Sequence, residues 1–351
     1  MGAMVDRSRF AFPIGRWRAI SSASLNSQGN AGSPFLKVPS MKKKLDRTTF
    51  YEGVRIRRTG ALWFHTVLRA TALHLRRTTG RQFGIPRLVQ YFGETFASLD
   101  KLVVCGPDGQ DFVLRASENG FGIVTGGFGV SEIKPLVDRL SRSAVVLDIG
   151  ANIGVWTRLF ASRVTDGCVY AFEPSPQNFE TLKENAHGFP NITCVNLVCS
   201  DVAGQLRLSV AGSPGLHHIT ADSDDRSIEV ATVRLDDWIF DTAMLARLDV
   251  LKVDVEGHEP EVFRGCGKAI RKHRPIVLFE YLPEFKDRSD RGIEFLFDFF
   301  AEIGFEVFRL DKSGILHRNM GEDLPPDWTN DFVAFDPVSE GVADIKALIV
   351  D

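Results

Sequence analysis

The stretch Ala144-Val-Val-Leu-Asp-Ile-Gly-Ala-Asn-Ile-Gly154 decides the fold of this chain of 351 residues. Its first six residues form a short apolar run, which is typical of a parallel strand buried on both faces. A glycine-rich turn follows, and then a helical pattern from Val155 to Val164. A strand, a glycine turn and a helix in this order present backbone N–H groups to a ligand in α/β folds. The stretch therefore predicts a doubly wound α/β domain with a ligand site at Gly150.

The spacing of the two glycines indicates which ligand the turn holds. A dinucleotide-binding turn needs G-x-G-x-x-G, so that the backbone approaches a pyrophosphate closely. Here position 152 is Asn, and Gly154 follows Gly150 by four residues. This spacing disfavours a nicotinamide-dependent oxidoreductase, although that class of enzyme would share the fold.

The second strand ends in a carboxylate. Val169-Tyr-Ala-Phe-Glu173 is another buried run, and Glu173 follows the glycine turn by about 20 residues. A carboxylate at this place can accept hydrogen bonds from both ribose hydroxyls of an adenosine ligand. The alternative is that Glu173 only caps the next helix, which is expected over Asn178–Ala186. Because Glu173 shares one βαβ unit with the Gly150 turn, the pattern favours a nucleoside ligand.

Strand three is predicted over Ile192–Cys199 and is followed by Ser200 and Asp201. In this architecture the end of that strand faces the adenine ring. A backbone amide or the Asp201 carboxylate could therefore bind the exocyclic amine, and an ordinary turn is the alternative.

Two short strands are predicted next, over Gln205–Val210 and Ile228–Val233, around a polar loop. The loop contains the adjacent pair His217 and His218. Adjacent histidines rarely bind one metal ion together, so no metal site is expected in this loop.

Charged residues concentrate at strand four, which is predicted over Asp249–Asp254, with Glu256 just beyond it. Ligands of open α/β sheets lie beyond the carboxyl ends of the strands, so Asp254 and Glu256 should reach the cleft. Buried charges without partners are costly. The cluster therefore serves a site, or Lys252 pairs with Asp254 for structural reasons. Strand five, Ile276–Glu280, also ends in a carboxylate.

The amino-terminal quarter of the chain is basic and the remainder is acidic. Residues 1–90 hold 17 Lys and Arg against 3 Asp and Glu, whereas the other residues hold 25 against 42. Residues 1–58 are predicted to form a disordered basic extension. Their Arg- and Ser-rich, acid-poor composition also resembles a transit peptide, and a true start at Met41 is a further alternative.

Residues 59–128 are expected to form an accessory region with an amphipathic helix and a β-hairpin. The helix is predicted from Thr59 to Gln82, and its apolar stripe consists of Trp63, Val67, Ala70, Leu73 and His74. We expect the stripe to pack on the body of the protein, and an anionic membrane or nucleic acid is the alternative. The hairpin combines Leu102–Val104 with Phe112–Arg115 through an Asp108-Gly109 turn.

Composition indicates a globular protein and argues against a disulfide-rich or membrane-spanning one. A hydrophobic share of 44% is ample for a core, and a charged share of 25% is ordinary for a globular protein. The five cysteines include no C-x-x-C pair and are expected to be reduced, which favours the cytoplasm. There is no apolar run of about 18 residues, so no membrane-spanning helix is expected.

Together these motifs resemble the FkbM family of methyltransferases. The matching segments are Leu147-Asp-Ile-Gly-Ala-Asn-Ile-Gly154, Tyr170-Ala-Phe-Glu-Pro-Ser-Pro176, Asn178, Asn185, Ser200-Asp201, Leu235-Asp236, Leu251-Lys-Val-Asp-Val-Glu-Gly-His-Glu259, Arg274-Pro275 and Glu280. The resemblance covers the chain from about Gly129 to Phe335. The chain departs from the family at Ser131, before Glu132, where Tyr is frequent, and at Cys199, where Ala is common.

The resemblance implies a class I methyltransferase domain over residues 129–340. Its Rossmann-like, doubly wound sheet would have seven strands, with the last strand antiparallel. The resemblance also implies S-adenosylmethionine as the methyl donor. The residues implied to bind it are Asp148, Gly150, Ala151, Asn152, Gly154, Glu173, Pro174, Ser175, Ser200, Asp201 and Asp254.

The family methylates hydroxyl groups of polyketides, sugars and glycans, so the resemblance implies O-methylation of a small molecule or glycan. The enzyme must align an oxygen nucleophile and remove its proton. Histidine titrates near neutrality, which makes His258 one candidate base, and Asp254, with Glu256, is the competing candidate. The next candidates are Glu132, His217 and His218. No complete ligand set for a hard cation is visible, so no metal is expected.

Other functions stay open on the sequence alone. A nucleic-acid methyltransferase would use the basic arm. However, the chain lacks an Asn/Asp-Pro-Pro-aromatic signature and its body is acidic, so no nucleic-acid partner is expected. A cofactor-binding protein without catalysis would carry the same motifs. The sequence also leaves open a homodimer and a peripheral membrane contact through the basic amino-terminal region.

Overall fold

A nine-stranded mixed sheet with helices on both faces forms the centre of the fold. The computed structural model describes residues 54–79, 84–118, 120–210, 217–220, 226–281, 293–318 and 328–350. The strands, in chain order, are β1 Ile56–Thr59, β2 Lys101–Cys105, β3 Asp111–Arg115, β4 Val145–Ile149, β5 Cys168–Phe172, β6 Ile192–Val195, β7 Val198–Ser200, β8 Gly204–Ser209, β9 His218–Thr220, β10 Ser227–Arg234, β11 Val250–Val253, β12 Ile276–Glu280, β13 Glu306–Asp311, β14 Leu316–His317, β15 Trp328–Phe335 and β16 Ile349–Val350.

Helices connect these strands and cover the sheet. They are α1 Leu62–Thr79, α2 Ile85–Thr95, α3 Ala97–Asp100, α4 Gly120–Gly126, α5 Lys134–Val137, α6 Val155–Arg163, α7 Pro176–Ala186, α8 Leu235–Asp237, α9 Glu259–Gly265, α10 Gly267–His273, α11 Ile293–Glu302 and α12 Ala343–Lys346. A π-helical turn, Trp238–Thr242, continues α8. Short 3₁₀ turns occur at Ala116–Glu118 and Glu340–Val342.

The strand order of the large sheet is β16-β14-β13-β15-β12-β11-β4-β5-β6. Strands β4, β5, β6, β11 and β12 are mutually parallel, whereas β15 runs antiparallel to both β12 and β13. The doubly wound sheet with an antiparallel last strand was therefore correctly predicted, but the expected number of seven strands was wrong. The two short strands β14 and β16 extend the edge beyond β13, so the sheet reaches past the predicted boundary at residue 340.

The apolar run that predicted β4 is buried on both faces of the sheet. Val146 packs in one hydrophobic core and Leu147 in the other, because successive side chains of a strand point to opposite faces. Helices cover these two faces, and in open α/β sheets ligands bind beyond the carboxyl ends of the strands.

The predicted third strand is divided into two. Strand β6 pairs with β5, whereas β7 leaves the large sheet and joins a separate four-stranded sheet of order β7-β10-β8-β9. Asn196 lies at the break and donates hydrogen bonds to the carbonyl oxygens of Glu173 and Pro174, at 2.7 and 3.1 Å. These bonds join the break to the end of β5. The two strands predicted around the polar loop are confirmed as β8 and β10.

The accessory region contains a three-stranded antiparallel sheet, β1-β2-β3, and the predicted hairpin is confirmed as β2 and β3. Strand β1 begins inside the predicted extension 1–58 and ends at Thr59, so the accessory sheet starts before the predicted boundary; residues 1–53 lie outside the described part. The core of this region includes Ile153, from the glycine turn of the main domain. The accessory region therefore packs directly against that turn.

Helix α1 has the predicted position, but it buries a different face from the one that was predicted. Four residues of the predicted packing stripe face solvent: Trp63, Val67, Ala70 and His74. The buried face instead carries His65, Ala72 and Leu73. The expectation that the whole stripe packs on the body was therefore wrong. Among the described residues, no helix is both long enough and apolar enough to cross a membrane.

Candidate active site

The turn after β4 brings its backbone into direct contact with two neighbouring strands. The N–H groups of Gly150 and Ala151 both donate to the carbonyl oxygen of Phe172, at 3.0 and 2.8 Å. Gly150 has a φ of 78°, and a Cβ at this position would overlap the carbonyl oxygen of Asp254 at the end of β11. Only glycine combines this conformation with such a close approach.

Gly154 has a different task at the start of α6. Its φ is 90°, and a Cβ there would lie 2.7 Å from the Cδ1 atom of Leu182 on α7. The second glycine thus permits close packing of α6 and α7.

Glu173 is buried at the end of β5, directly beside the glycine turn. Its carboxylate accepts hydrogen bonds from the backbone N–H groups of Asn152, at 2.8 Å, and Ser175, at 2.9 Å. Burial raises the pKa of Glu173 to about 7, although these N–H groups and the Asn178 amide favour its charged form. The carboxylate therefore braces the turn and also lines a cavity, so the capping and ligand-binding interpretations are compatible.

A cavity opens beyond the carboxyl ends of β4, β5 and β11, close to where the strand order reverses. It is bounded on one side by the glycine turn and on another by the small sheet. Its lining comprises Ile149, Gly150, Asn152, Phe172, Glu173, Pro174, Asn178, Leu197, Val198, Cys199, Leu208, His217, His218, Ile219, Asp254, Val255, Glu256 and His258. The wall is mostly apolar and includes the acidic residues Glu173, Asp254 and Glu256, which suits an apolar group that carries hydroxyls.

Lys252 connects two strands beneath this cavity. Its buried ammonium lies 3.1 Å from Asp148 Oδ1 and 3.3 Å from Asp254 Oδ2, and it donates to the carbonyl oxygen of Gly150 at 3.0 Å. Burial opposes the charge, but the two carboxylates outweigh it and raise the pKa of Lys252. The structural pairing that the sequence left open is therefore present, and it includes Asp148 as well as Asp254.

The turn that follows Asp254 is held by a buried carboxylate. Glu259 Oε1 accepts hydrogen bonds from the N–H groups of Val255 and Gly257, at 3.1 and 3.2 Å. Burial raises the pKa of Glu259 to about 7. Glu256, within this turn, has a φ of 55°, a conformation that is uncommon outside glycine. Glu259 thereby holds the turn that directs Glu256 toward the cavity.

His258 is held on both sides of its ring. Its Nε2 atom lies 3.0 Å from the hydroxyl of Ser200, and its Nδ1 atom lies 3.6 Å from the Glu261 carboxylate. Burial lowers the pKa of His258, and Glu261 opposes this shift. The ring lines the cavity and is also part of the packing between β7 and α9.

A second cavity lies on the other side of the glycine turn, against the accessory region. Its lining comprises Arg115, Glu118, Gly120, Ile123, Phe128, Gly150, Ala151, Asn152, Ile153, Val155, Trp156, Lys252 and Asp254. Burial raises the pKa of Glu118, and its Oε2 atom is buried without a hydrogen-bond partner among the described residues. Asp254 lines both cavities and is therefore a residue that they share.

A third, smaller cavity continues from Asp254 over the ends of β12 and β15, beside Glu280 and Asp331. Burial, reinforced by Asp254, Asp331 and Glu256, raises the pKa of Glu280 to about 9. Within the described ranges, no group of three or more His, Cys, Asp and Glu residues has a geometry that could hold a metal ion.

Residues 148–307 match the model of the methyltransferase FkbM domain. We refer to this matched segment as the FkbM domain. The matched segment includes both glycines of the turn, Glu173 and the whole 254–259 turn.

Two curated relatives of the FkbM domain are named for the reaction that they catalyse. The hexuronic acid methyltransferase AglP of Haloferax volcanii is 28% identical over 149 residues, which are 42% of this chain and 59% of that protein. The 2-O-methyltransferase NoeI of Sinorhizobium fredii is 27% identical over 154 residues, 39% of this chain and 63% of that protein. The chain thus spans about three fifths of the length of the curated relatives it matches. A solved FkbM methyltransferase from Methylobacillus flagellatus is 14% identical, with a TM-score of 0.38, over 63% of this chain and 65% of that one.

Within the FkbM domain, most of the predicted site residues line a cavity. The first cavity contains Gly150, Asn152, Glu173, Pro174, Asp254, Glu256 and His258, and the second adds Ala151. Five others line none of the three cavities: Asp148, Gly154, Ser175, Ser200 and Asp201. Asp148 pairs with Lys252, and Asp201 binds Arg264 at 2.9 Å. Of the next candidates, His217 and His218 line the first cavity. Glu132 lines none of the three cavities.

Several residues around the FkbM domain's cavities were given no role by sequence reasoning. They are Glu118, Trp156, Glu259 and Asp331. Glu259 carried a signal, because it closes the segment Leu251–Glu259 that marked the family. Glu118 and Trp156 had no such sequence signal, because their position beside the glycine turn depends on how the accessory region packs.

Proposed function

We propose that this protein transfers the methyl group of S-adenosylmethionine to a hydroxyl oxygen of a sugar-like acceptor. The proposal depends on one observation: Gly150, the buried Glu173 and Asp254 all line the same cavity. The FkbM domain supports methyl transfer. The names of the relatives, a hexuronic acid methyltransferase and a 2-O-methyltransferase, support a sugar hydroxyl as the acceptor.

The first cavity fits the nucleoside part of this donor. An ionised carboxylate has about four acceptor sites; on Glu173 backbone N–H groups occupy two of them, and the Asn178 amide occupies a third at 3.4 Å. The remaining site can accept a ribose hydroxyl. Leu197, Cys199 and Leu208 supply apolar surface for the purine ring.

The chain's own residues then have to position the acceptor and take its proton. When bound, S-adenosylmethionine supplies an electrophilic methyl group. Asp254 lies between the nucleoside cavity and the second cavity, and its side chain is 32% exposed. The Lys252 ammonium, 3.3 Å away, fixes the orientation of this carboxylate. We therefore assign Asp254 as the group that accepts the proton of the acceptor hydroxyl.

The geometry favours Asp254 over His258 for this role. Both ring nitrogens of His258 already face polar partners, Ser200 and Glu261. Because the ring is held in this way, it stabilises the start of α9 and the turn that follows β11. Glu256 lines the nucleoside cavity and not the second one, so it is placed to contact the donor.

Calorimetry with purified protein tests the choice of cofactor. S-adenosylhomocysteine should bind and NAD should not. Glu173→Gln should weaken binding by about 1.5–3 kcal/mol, the scale of hydrogen bonds to a charged group. Glu180→Gln is the matched control, because Glu180 is exposed on α7. Binding of NAD, or equal affinity in both variants, would contradict the proposal.

The acceptor is tested with methyl-labelled donor and a panel of hexoses and hexuronic acids. The label should appear in an ether on a ring hydroxyl, identified by mass spectrometry of the product. If S-adenosylhomocysteine binds but no member of the panel is labelled, a different acceptor or a cofactor-binding protein without catalysis is indicated. Label on nitrogen would exclude O-methylation.

A further inference from the structure

Two helices of the accessory region turn large apolar side chains toward solvent. In the described part of the chain, ten such side chains are exposed, and six of them lie between residues 62 and 96. These six are Leu62, Trp63, Val67, Leu88, Tyr91 and Phe96. Trp63 is 78% exposed and Tyr91 is 61% exposed, so these two rings contribute little to the core.

Ring contacts join the two helices into one surface. Phe64 on α1 meets Phe92 on α2 edge-to-face, with ring centroids 5.4 Å apart. Phe92 in turn contacts Tyr91 at 5.9 Å and Phe96 at 6.2 Å. We call this surface the aromatic patch; it consists of Trp63, Phe64, Val67, Tyr91, Phe92 and Phe96. Contiguous exposed apolar surface of this kind marks an interaction site.

The segment that carries the aromatic patch is basic. Residues 54–96 contain eight arginines and a single carboxylate, Glu94, although Arg57 and Arg58 pair with Asp111 outside this segment. Arg77 on α1 and Arg87 on α2 are exposed. The opposite faces of these helices are already packed, with Ala72 and Val89 fully buried. The patch therefore faces away from the body of the protein.

We infer that the aromatic patch docks this protein onto an anionic membrane surface. Trp and Tyr rings favour the boundary between headgroups and acyl chains, where the apolar part is buried and the polar end stays hydrated. Arginines beside them are attracted to anionic headgroups. Apolar burial and electrostatic attraction together are what holds a helix in the plane of a membrane interface.

Charge distinguishes a membrane from a second copy of the chain as the occupant. A twofold dimer through the aromatic patch would place the same patch on both sides of the contact. Such a contact would bring two copies of the same arginine-rich segment together, and like charges repel. An anionic surface is complementary to both the rings and the arginines.

Vesicle co-sedimentation of the full chain tests the inference without requiring methyl transfer. The protein should bind vesicles of equal parts phosphatidylcholine and phosphatidylserine, bind phosphatidylcholine alone more weakly, and lose affinity as salt rises. A Trp63→Ala/Tyr91→Ala variant should bind at least about tenfold more weakly. Arg77→Ser should reduce binding about fivefold. Brominated lipid should quench the tryptophan fluorescence of the wild type more than that of Trp63→Phe.

Matched controls lie elsewhere on the surface. Val338 and Met244 are 84% and 76% exposed, and Arg139 is an exposed arginine outside the patch. Val338→Ala, Met244→Ala and Arg139→Ser should bind vesicles as the wild type does. Because Trp63 and Tyr91 are exposed, the patch variants should also keep the wild-type melting temperature.

Three results would overturn the inference. The first is no binding to anionic vesicles at low salt. The second is equal binding by the wild type and the Trp63→Ala/Tyr91→Ala variant, which would assign binding to another basic segment. The third is that the patch variant loses self-association in analytical ultracentrifugation, or binding to single-stranded RNA, while vesicle binding is unchanged.

Discussion

The carbonyl oxygen of Asp254 occupies the space that a Cβ atom would need at Gly150. The glycine turn of the first βαβ unit and the carboxyl end of β11 are therefore in backbone contact, and the same contact places the Asp254 side chain between two cavities. A sheet whose first and fourth parallel strands are neighbours brings these two segments together. The absence of a side chain at position 150 is thus a requirement of the site as well as of the turn.

Gly150→Ala should destabilise the protein and abolish binding of S-adenosylhomocysteine. The new methyl group has to displace backbone, so we expect a loss of more than about 2 kcal/mol in the free energy of unfolding. Gly188→Ala is the matched control, because Gly188 has a φ of 92° but open space around its Cβ position. It should cost only about 1 kcal/mol, the strain of a left-handed residue. Urea unfolding measures both, and equal losses would show that the contact with Asp254 is unimportant.

Lys252→Met should be far more destabilising than a comparable change on the surface. The substitution leaves the buried Asp148 without its cation, so we expect a loss of about 3–5 kcal/mol. Lys134→Met breaks an ion pair with Asp138 whose side chains are 53% and 55% exposed, and should cost less than about 1 kcal/mol. Urea unfolding at neutral pH provides the comparison. A small effect of Lys252→Met would mean that the carboxylates find other partners.

The stability of the protein should depend on pH through Glu173. Its pKa is raised by burial to about 7 in the folded protein, so the folded state holds this proton more tightly than the unfolded chain does. The contribution of Glu173 is greatest below the unfolded pKa of about 4.3 and is lost as the pH rises through about 7. Relative to Glu173→Gln, the wild type should lose up to about 3 kcal/mol over this range. Unfolding at a series of pH values tests this, and parallel curves would contradict it.

Asp254→Asn and His258→Ala should separate proton transfer from positioning. Asp254→Asn should lower turnover by about 10²–10⁴-fold while cofactor affinity stays close to that of the wild type. His258→Ala should lower stability, with a smaller effect on turnover, because its ring packs between Ser200 and Glu261. Initial rates with saturating donor give the comparison. If His258→Ala loses as much turnover as Asp254→Asn and folds normally, His258 is the base. A drop in cofactor affinity in Asp254→Asn would instead assign this carboxylate to the donor.

Local sequence patterns were sufficient to predict the βαβ unit and the residues at the ends of its strands. The period of the apolar residues predicted β4, β5 and β11, and the positions of Gly150 and Glu173 relative to those strands predicted where a cavity forms. These features depend on residues within a few positions of one another, so the sequence alone contains them.

Contacts between distant segments decided the rest. Helix α1 has two faces with apolar residues, and the packing of α4 and the small accessory sheet determines that Ala72 is buried and Trp63 exposed. The predicted third strand divides at Asn196, where bonds to the end of β5 replace strand pairing. Lys252 is tied to Asp148 as well as to Asp254 because β4 and β11 are adjacent in the sheet. Periodicity indicates that a face is apolar, but which neighbour covers that face, and which charge pairs with which, is determined only when the chain is folded.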